Sequence, residues 1–167
     1  MGAEVAGRRD AGQRQLVIFR LANETYGVDI HQVREIIRVP EITRVPRTPD
    51  YVEGIINLRG GVIPVLDLRK RFGLAAAEDE SDRRIIVVEL EDTTLGMIVD
   101  GVSEVLRIDE SEIEEPSPYI MSIDSDYIAG TVKRGDKLMI LLTLERVVAA
   151  GDRERIASLE GESDGGV

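Results

Sequence analysis

The chain has 167 residues, 43% apolar and 32% charged, enough for one domain or two small ones with a buried core. It contains no Cys, which excludes a disulfide framework and a thiolate metal site, and its net charge of −11 argues against a general nucleic-acid binder. No apolar run approaches the roughly 20 residues that span a bilayer, and the N-terminal MGAEVAGRRDAGQRQ lacks the apolar core of a signal peptide, so a soluble cytoplasmic protein is expected.

In chain order, residues 1–14 read as a flexible N-terminal tail. Apolar, β-branched runs of strand length follow: LVIFRL (16–21), YGVDI (26–30), VREIIRV (33–39), IINL (55–58) and VIPVLDL (62–68). LRKRFGLA (68–75) predicts a short helix, and the charged AAAEDESD (75–82) reads as the joint between two halves. Five more strand-like runs come next: RIIVVEL (84–90), LGMIVD (95–100), EVLRI (104–108), YIAGTV (127–132) and KLMILLTL (137–144). ERVVAAGDRERIASLE (145–160) predicts a longer helix, with Val147, Val148, Ala150, Ile156 and Leu159 on its apolar side and Gly151 weakening its middle. The domain proper is placed at 15–148, and a C-terminal helix with a loose tail at 149–167.

The chain repeats itself. TYGVDIHQVREIIRV (25–39) aligns with TLGMIVDGVSEVLRI (94–108), with identities at Thr25/Thr94, Gly27/Gly96, Val33/Val102, Glu35/Glu104 and Arg38/Arg107. YVEGIINLRGGVIPVLDL (51–68) then aligns with YIAGTVKRGDKLMILLTL (127–144), sharing Tyr, Gly, Arg-Gly and the final Leu. Fixed order and a near-constant offset point to an internal duplication. A half of 60 to 70 residues with about five strands would be marginal alone. Closing each half into a small barrel and packing the two together hides strand edges and shares a core. The expected fold is therefore all-β, two related five-stranded barrels with short helices, with room for the termini to cross over between them.

Catalytic motifs are missing. His31 is the only His, and no G-x-S-x-G or other nucleophile motif supplies the partners a catalytic role would need. RGG (59–61) and KRGDK (133–137) are hairpin turns, not phosphate loops, and the acidic pairs lack EF-hand spacing. No cofactor or metal is expected, and an enzyme is unlikely by elimination. Charge is unevenly spread: residues 31–71 hold eight basic and five acidic side chains, residues 78–126 three basic and sixteen acidic. This fits either plain solubility or two surfaces that face two partners. Glu35 and Arg59 stand among residues that otherwise want burial, so they are expected to pair with each other. The pair either only fixes barrel packing or forms a polar feature on the rim of an apolar groove that takes a partner helix.

These residues resemble the CheW family of chemotaxis coupling proteins. The matching elements are LVIF (16–19), YGVDIHQVREI (26–36), VPRTPDYVEGIINLRG (45–60), VIPVLDLR (62–69), GMIVDGVSEVLRI (96–108) and YIAGTVKRGDKLMILL (127–142). The resemblance implies two five-stranded SH3-like β-barrels with a groove between them. It implies a non-enzymatic adaptor, cytoplasmic but recruited to membrane-associated receptor arrays, that bridges a transmembrane chemoreceptor and the regulatory domain of the histidine kinase CheA. The receptor's coiled-coil tip is then expected at Val33, Glu35, Ile36, Gly54, Arg59 and Gly96. Val33, Ile36, Val99 and Val102 supply aliphatic side chains to line the groove for a helix. Tyr119 and Ile120 in PSPYIM (116–121) match the kinase-binding loop, and the acidic ESEIEEP (110–116) before them is more negative than the family leads one to expect. A monomer is expected when free. Two other readings stay open: a CheW-like domain of a larger chemotaxis protein, such as a receiver fusion or the kinase itself, and a small-barrel ligand-binding module or enzyme.

Overall fold

Each of the ten apolar runs folds as a strand in the computed structural model, which describes residues 12–75, 80–91, 93–116, 123–148 and 150–162. The strands are β1 (Gln13–Leu21), β2 (Glu24–Asp29), β3 (Val33–Arg38), β4 (Val52–Leu58), β5 (Gly61–Asp67), β6 (Arg84–Glu89), β7 (Thr94–Val99), β8 (Gly101–Asp109), β9 (Ile128–Arg134) and β10 (Lys137–Leu142). One sheet has the order β8-β1-β2-β10-β9, the other β3-β6-β7-β5-β4. Replacing each strand by its counterpart in the repeat turns one order into the other. The pairings agree as well, with β2–β10 and β5–β7 parallel and all others antiparallel. The duplication read from the sequence is thus a duplication of topology.

Of the arrangements left open, halves closed on themselves or segments crossing between barrels, the pairing shows the second. The first barrel takes β1 and β2 from one half and β8, β9 and β10 from the other; the second takes β3, β4 and β5 with β6 and β7. The faces of the strands show how the two barrels then share a core. β1 alternates Leu16 and Ile18, inside the first barrel with Ile108, Val132, Met139 and Leu141, against Val17, Phe19 and Leu21, which point the other way. β6 alternates Ile85 and Val87, inside the second barrel with Ile56, Ile63, Val65 and Ile98, against Ile86 and Val88. Strands apolar on both faces need a second surface to cover them. Exchange puts those outer faces against each other, and the largest buried cluster lies between the barrels.

Both barrels close through the same device. Thr43, beyond β3, exchanges two backbone hydrogen bonds with Ile55 of β4 (2.9 and 2.8 Å), and Glu114, beyond β8, exchanges two with Thr131 of β9 (2.8 and 2.8 Å). The repeated Gly54 and Gly130 sit at these closures. A Cβ on Gly54, whose φ is 148°, would lie 2.1 Å from the Thr43 carbonyl oxygen; one on Gly130 would lie 2.5 Å from the Ile113 side chain. Gly54→Ala is expected to cost about 3 kcal/mol from overpacking and backbone strain. Equilibrium urea unfolding checks this, and a loss below about 1 kcal/mol would show that the closure tolerates a side chain.

The chain crosses between barrels at Asp100, after β7. Asp100 is 8% exposed, and its carboxylate accepts from Arg69 Nε at 2.8 and 2.9 Å and Arg69 Nη2 at 2.5 Å. It also accepts from the Ala22 amide at 2.7 Å, holding the β1–β2 turn where Ala22 has φ 57°, and its own amide donates to Arg20 O at 2.9 Å. Helix α1 (Leu68–Phe72) supplies Arg69. Asp67 caps it, accepting from the Arg69 and Lys70 amides, and Gly73 ends it at φ 73°.

Burial pushes the Asp67 carboxyl above its ordinary value. A carboxyl that binds its proton more tightly when folded stabilises below its unfolded pKa and loses that contribution as pH rises through the folded pKa. Asp67→Asn, which keeps the cap, should therefore leave the urea midpoint unchanged or raise it at pH 7, and have little benefit near pH 3. A lower midpoint at pH 7 that recovers in acid would reverse this sign.

Five of the six aromatic rings gather between the barrels. Phe19–Tyr26, Tyr26–Phe72 and Phe72–Tyr127 stack or tilt at 5.8, 6.2 and 5.0 Å, and Arg71 lies over Tyr51 (4.6 Å) and its repeat counterpart Tyr127 (5.0 Å). The C-terminal helix expected over 145–160 is broken into α2 (Leu144–Val147), a 3₁₀ turn (Ala150–Asp152) and α3 (Arg153–Ala157). Side chains take over there. Arg71 Nε donates to the Val147 carbonyl, Arg153 Nη2 donates to Glu145 O at 2.7 Å, and Tyr51 Oη donates to Asp152 at 2.6 Å. Ile156 still reaches the core, 1% exposed. A last two-residue strand, β11 (Gly161–Glu162), pairs with the start of β5.

Candidate functional site

The β4–β5 hairpin carries the site. Leu58 pairs with Gly61, so Arg59 and Gly60 form a two-residue turn, and both have positive φ, 54° and 85°. Such a turn prefers Asn-Gly or Gly-Gly, because a side chain at the first position is strained. The repeat offers the comparison: its turn is Gly135-Asp136, with Gly135 at φ 60° and no strained side chain. Arg59 therefore occupies a position that the fold fills more comfortably with Gly. From it, Arg59 Nη1 donates to Glu35 Oε2, forming the expected ion pair; Arg59 is 73% exposed and Glu35 19%.

An exposed pair contributes about 0–1 kcal/mol, and relieving a positive φ returns a similar amount. Arg59→Gly is thus expected to change unfolding free energy by less than about 1 kcal/mol. A urea titration that shows a loss above about 2 kcal/mol would mean the pair is part of the barrel's packing.

Around the pair lies an open cleft of about 590 Å³, lined by Arg34, Glu35, Leu58, Arg59, Gly60, Gly61, Val62, Ile63, Glu160 and Gly161. Arg34 faces Glu89 at 3.5 Å. Ile36, on the same edge strand β3, is 40% exposed. Among the described residues strand β3 pairs only with β6 along its length, and the barrel closes toward β4 just beyond it, at Thr43.

The remaining nominated positions lie deeper. Val33 and Val102 are half-buried and pack against the inter-barrel core. Val99 is fully buried in that core, which corrects its placement on a groove: a side chain with no exposed surface makes no contact with a partner. Gly96 and Gly54 are also buried. A Cβ on Gly96 would meet Ile85 at 2.7 Å inside the second barrel, and Gly54 serves the barrel closure. These glycines shape the surface from beneath. Periodicity cannot separate such positions from surface ones where strands are apolar on both faces.

Tyr119 and Ile120 lie outside the described residues. The loop's flanks are tied down, Glu114 by its bridge to β9 and Ile123 by burial between the barrels, 6% exposed. Along the acidic run, Glu112 accepts from Arg134 Nε at 3.0 Å, and Arg134 holds its carboxyl below the ordinary range. His31 is exposed and faces Asp29 at 3.0 Å. Burial pushes Asp29 up, but hydrogen bonds from His31 and the charge of Arg14 outweigh it and lower its pKa. Among the described residues no group of His, Cys, Asp and Glu could hold a metal ion, and no helix is long and apolar enough to cross a membrane. Of the cleft residues sequence reasoning named only Glu35 and Arg59; among those it missed are Leu58, Val62, Glu160 and Gly161. The hairpin pattern around RGG was a signal for the first two; nothing local marked the others.

A CheW-like domain model matches residues 15–151. The chemotaxis protein CheW of Treponema pallidum is 36% identical over 151 residues, covering 88% of this chain and 89% of that protein. CheW of Klebsiella aerogenes is 32% identical over 137 residues, covering 82% of each. The crystal structure of the scaffolding protein TtCheW from Thermoanaerobacter tengcongensis superposes with a TM-score of 0.77 at 44% identity, covering 83% of this chain and 90% of that one. The twin barrels, their exchanged strands and these matches define a chemotaxis scaffold fold. The chain belongs to the CheW family.

Proposed function

We propose that this chain is a non-enzymatic adaptor that couples transmembrane chemoreceptors to the histidine kinase CheA in signalling arrays. The observation that carries the reading is Arg59, held at positive φ with its guanidinium on Glu35, beside the exposed Ile36 on an edge strand. An exposed apolar anchor next to a fixed polar pair suits a helix laid across the barrel, which brings apolar residues at i, i+3, i+4 and i+7. In this reading Ile36, Glu35 and Arg59 meet the receptor's coiled-coil tip, with Val33 and Val102 half-buried beneath them. Tyr119 and Ile120 meet the regulatory domain of CheA, and the acidic run before them steers that encounter. The free chain is a cytoplasmic monomer that joins receptor arrays at the membrane. Weak contacts suffice, because assembly raises their effective concentration.

The test is isothermal titration of the full chain with a soluble receptor-tip hairpin, with the CheA regulatory domain, and with both together. Independent, simultaneous binding of the two supports the adaptor. Mutually exclusive binding, or binding of neither, sinks it.

A further inference from the structure

Among the described residues, the C-terminal segment reaches the same cleft as Glu35 and Arg59. After Ile156 anchors it between the barrels, the chain runs to the second barrel, where Gly161 pairs with Val62 and Glu162 with Gly61. Glu160 fixes the approach: its Oε1 accepts from Thr93 Oγ1 at 3.0 Å and from the Thr94 amide at 3.1 Å. Glu160 and Gly161 line the cleft with Arg34 and Arg59, and both are exposed.

The duplication supplies an internal comparison. Among the described residues the first barrel has five strands, and β10 pairs only with β2 and β9. The second barrel has the same five and adds β11 beside β5. The barrel therefore closes without a sixth strand, and β11 is an addition made only at this cleft. A two-residue strand on an edge is weak, and such elements open at little cost. Glu160 lines a cleft that also holds the Arg34 and Arg59 guanidinium groups, while its own carboxylate ties the segment to Thr93 and Thr94.

We propose that residues 160–162 are a displaceable plug on the receptor-facing cleft: they hold the β5 edge when the chain is free and leave when the receptor helix docks. The inference rests on the reading above that the receptor uses this cleft. Receptor affinity is then reduced by the fraction of chains with the plug in place.

A disulfide can hold the plug down, since the chain has no Cys of its own. Val62 and Gly161 are direct cross-strand partners, and such pairs have Cα atoms about 4.5–5.5 Å apart, within disulfide reach. The double variant Val62→Cys/Gly161→Cys is titrated with a soluble receptor-tip hairpin before and after reduction. The oxidised form is expected to bind about tenfold more weakly than the same protein reduced. Truncation after Leu159 should tighten binding about three- to tenfold over the full chain. Glu160→Ala, which keeps the whole chain, should move the same way and guards against misfolding of the truncation. Equal binding by oxidised and reduced forms, while the full chain binds the hairpin, overturns the plug and leaves the adaptor reading standing. No binding by any form overturns the adaptor reading, and the plug with it.

Discussion

Asp100→Ala is expected to lower the unfolding free energy by about 3–5 kcal/mol, the loss seen when one partner of a buried ion pair is removed. Arg69 and Asp100 side chains are only 14% and 10% exposed, and although Asp67 and Glu80 also act on the guanidinium through their charge, Asp100 is the carboxylate that hydrogen-bonds it. Asp100 raises the Arg69 pKa above its ordinary value; without it the guanidinium still does not release its proton, because arginine stays charged in proteins, so the charge is left without its partner. The same carboxylate accepts from the Ala22 amide, and losing it frees a turn that already stands at positive φ. For a chain of this size a loss on this scale lowers Tm on the order of 10 °C. Replacing both partners, as Arg69→Met with Asp100→Leu, should cost clearly less than the sum of the single changes, because no unpaired charge remains. Additive losses in that double-mutant cycle would show that the pair acts only through its separate contacts.

That pair also shows where sequence reading stops. The ten strands, the duplication and the Glu35–Arg59 pair were legible because each leaves a local mark: an apolar run, a repeated spacing, a charge inside a strand. Asp100 sat at the end of LGMIVD, and nothing in that run says that the chain changes barrels there. Exchange of strands between halves depends on which of two apolar faces meets which neighbour. Both faces of β1 and β6 are apolar, so the pattern is the same for a self-closed half and an exchanged one. For the same reason Val99 looked like a groove-lining candidate and is interior, as is Gly96, which the family resemblance had suggested. The C-terminal helix failed for a different reason. Arg71 and Arg153 take backbone carbonyls there and Tyr51 holds the Asp152 carboxylate, side chains far away or pointing back, which no helical periodicity reports.

Ile36→Asp is expected to weaken binding of a receptor-tip hairpin by about tenfold or more while leaving the fold intact, since a central apolar anchor carries much of an interface's energy. The choice of position matters. Val33→Asp would test the same face, but Val33 packs against the inter-barrel core, so lost binding and lost stability would arrive together. Ile36 is 40% exposed on an edge strand and belongs to none of the three buried clusters, so a charge there should change stability by no more than about 0.5 kcal/mol. The duplication again supplies the control. Val105, at 52% exposure, is the repeat counterpart of Ile36, and among the described residues these two are the exposed large hydrophobics. Val105→Asp makes the same chemical change on the matching strand of the other barrel, without the strained Arg59 turn beside it. It should leave hairpin affinity unchanged. If both variants lose affinity equally, the contact is a general property of exposed strand edges and not of the Glu35–Arg59 face. If Ile36→Asp binds as the wild type does, with an unchanged circular dichroism spectrum, the receptor does not use β3.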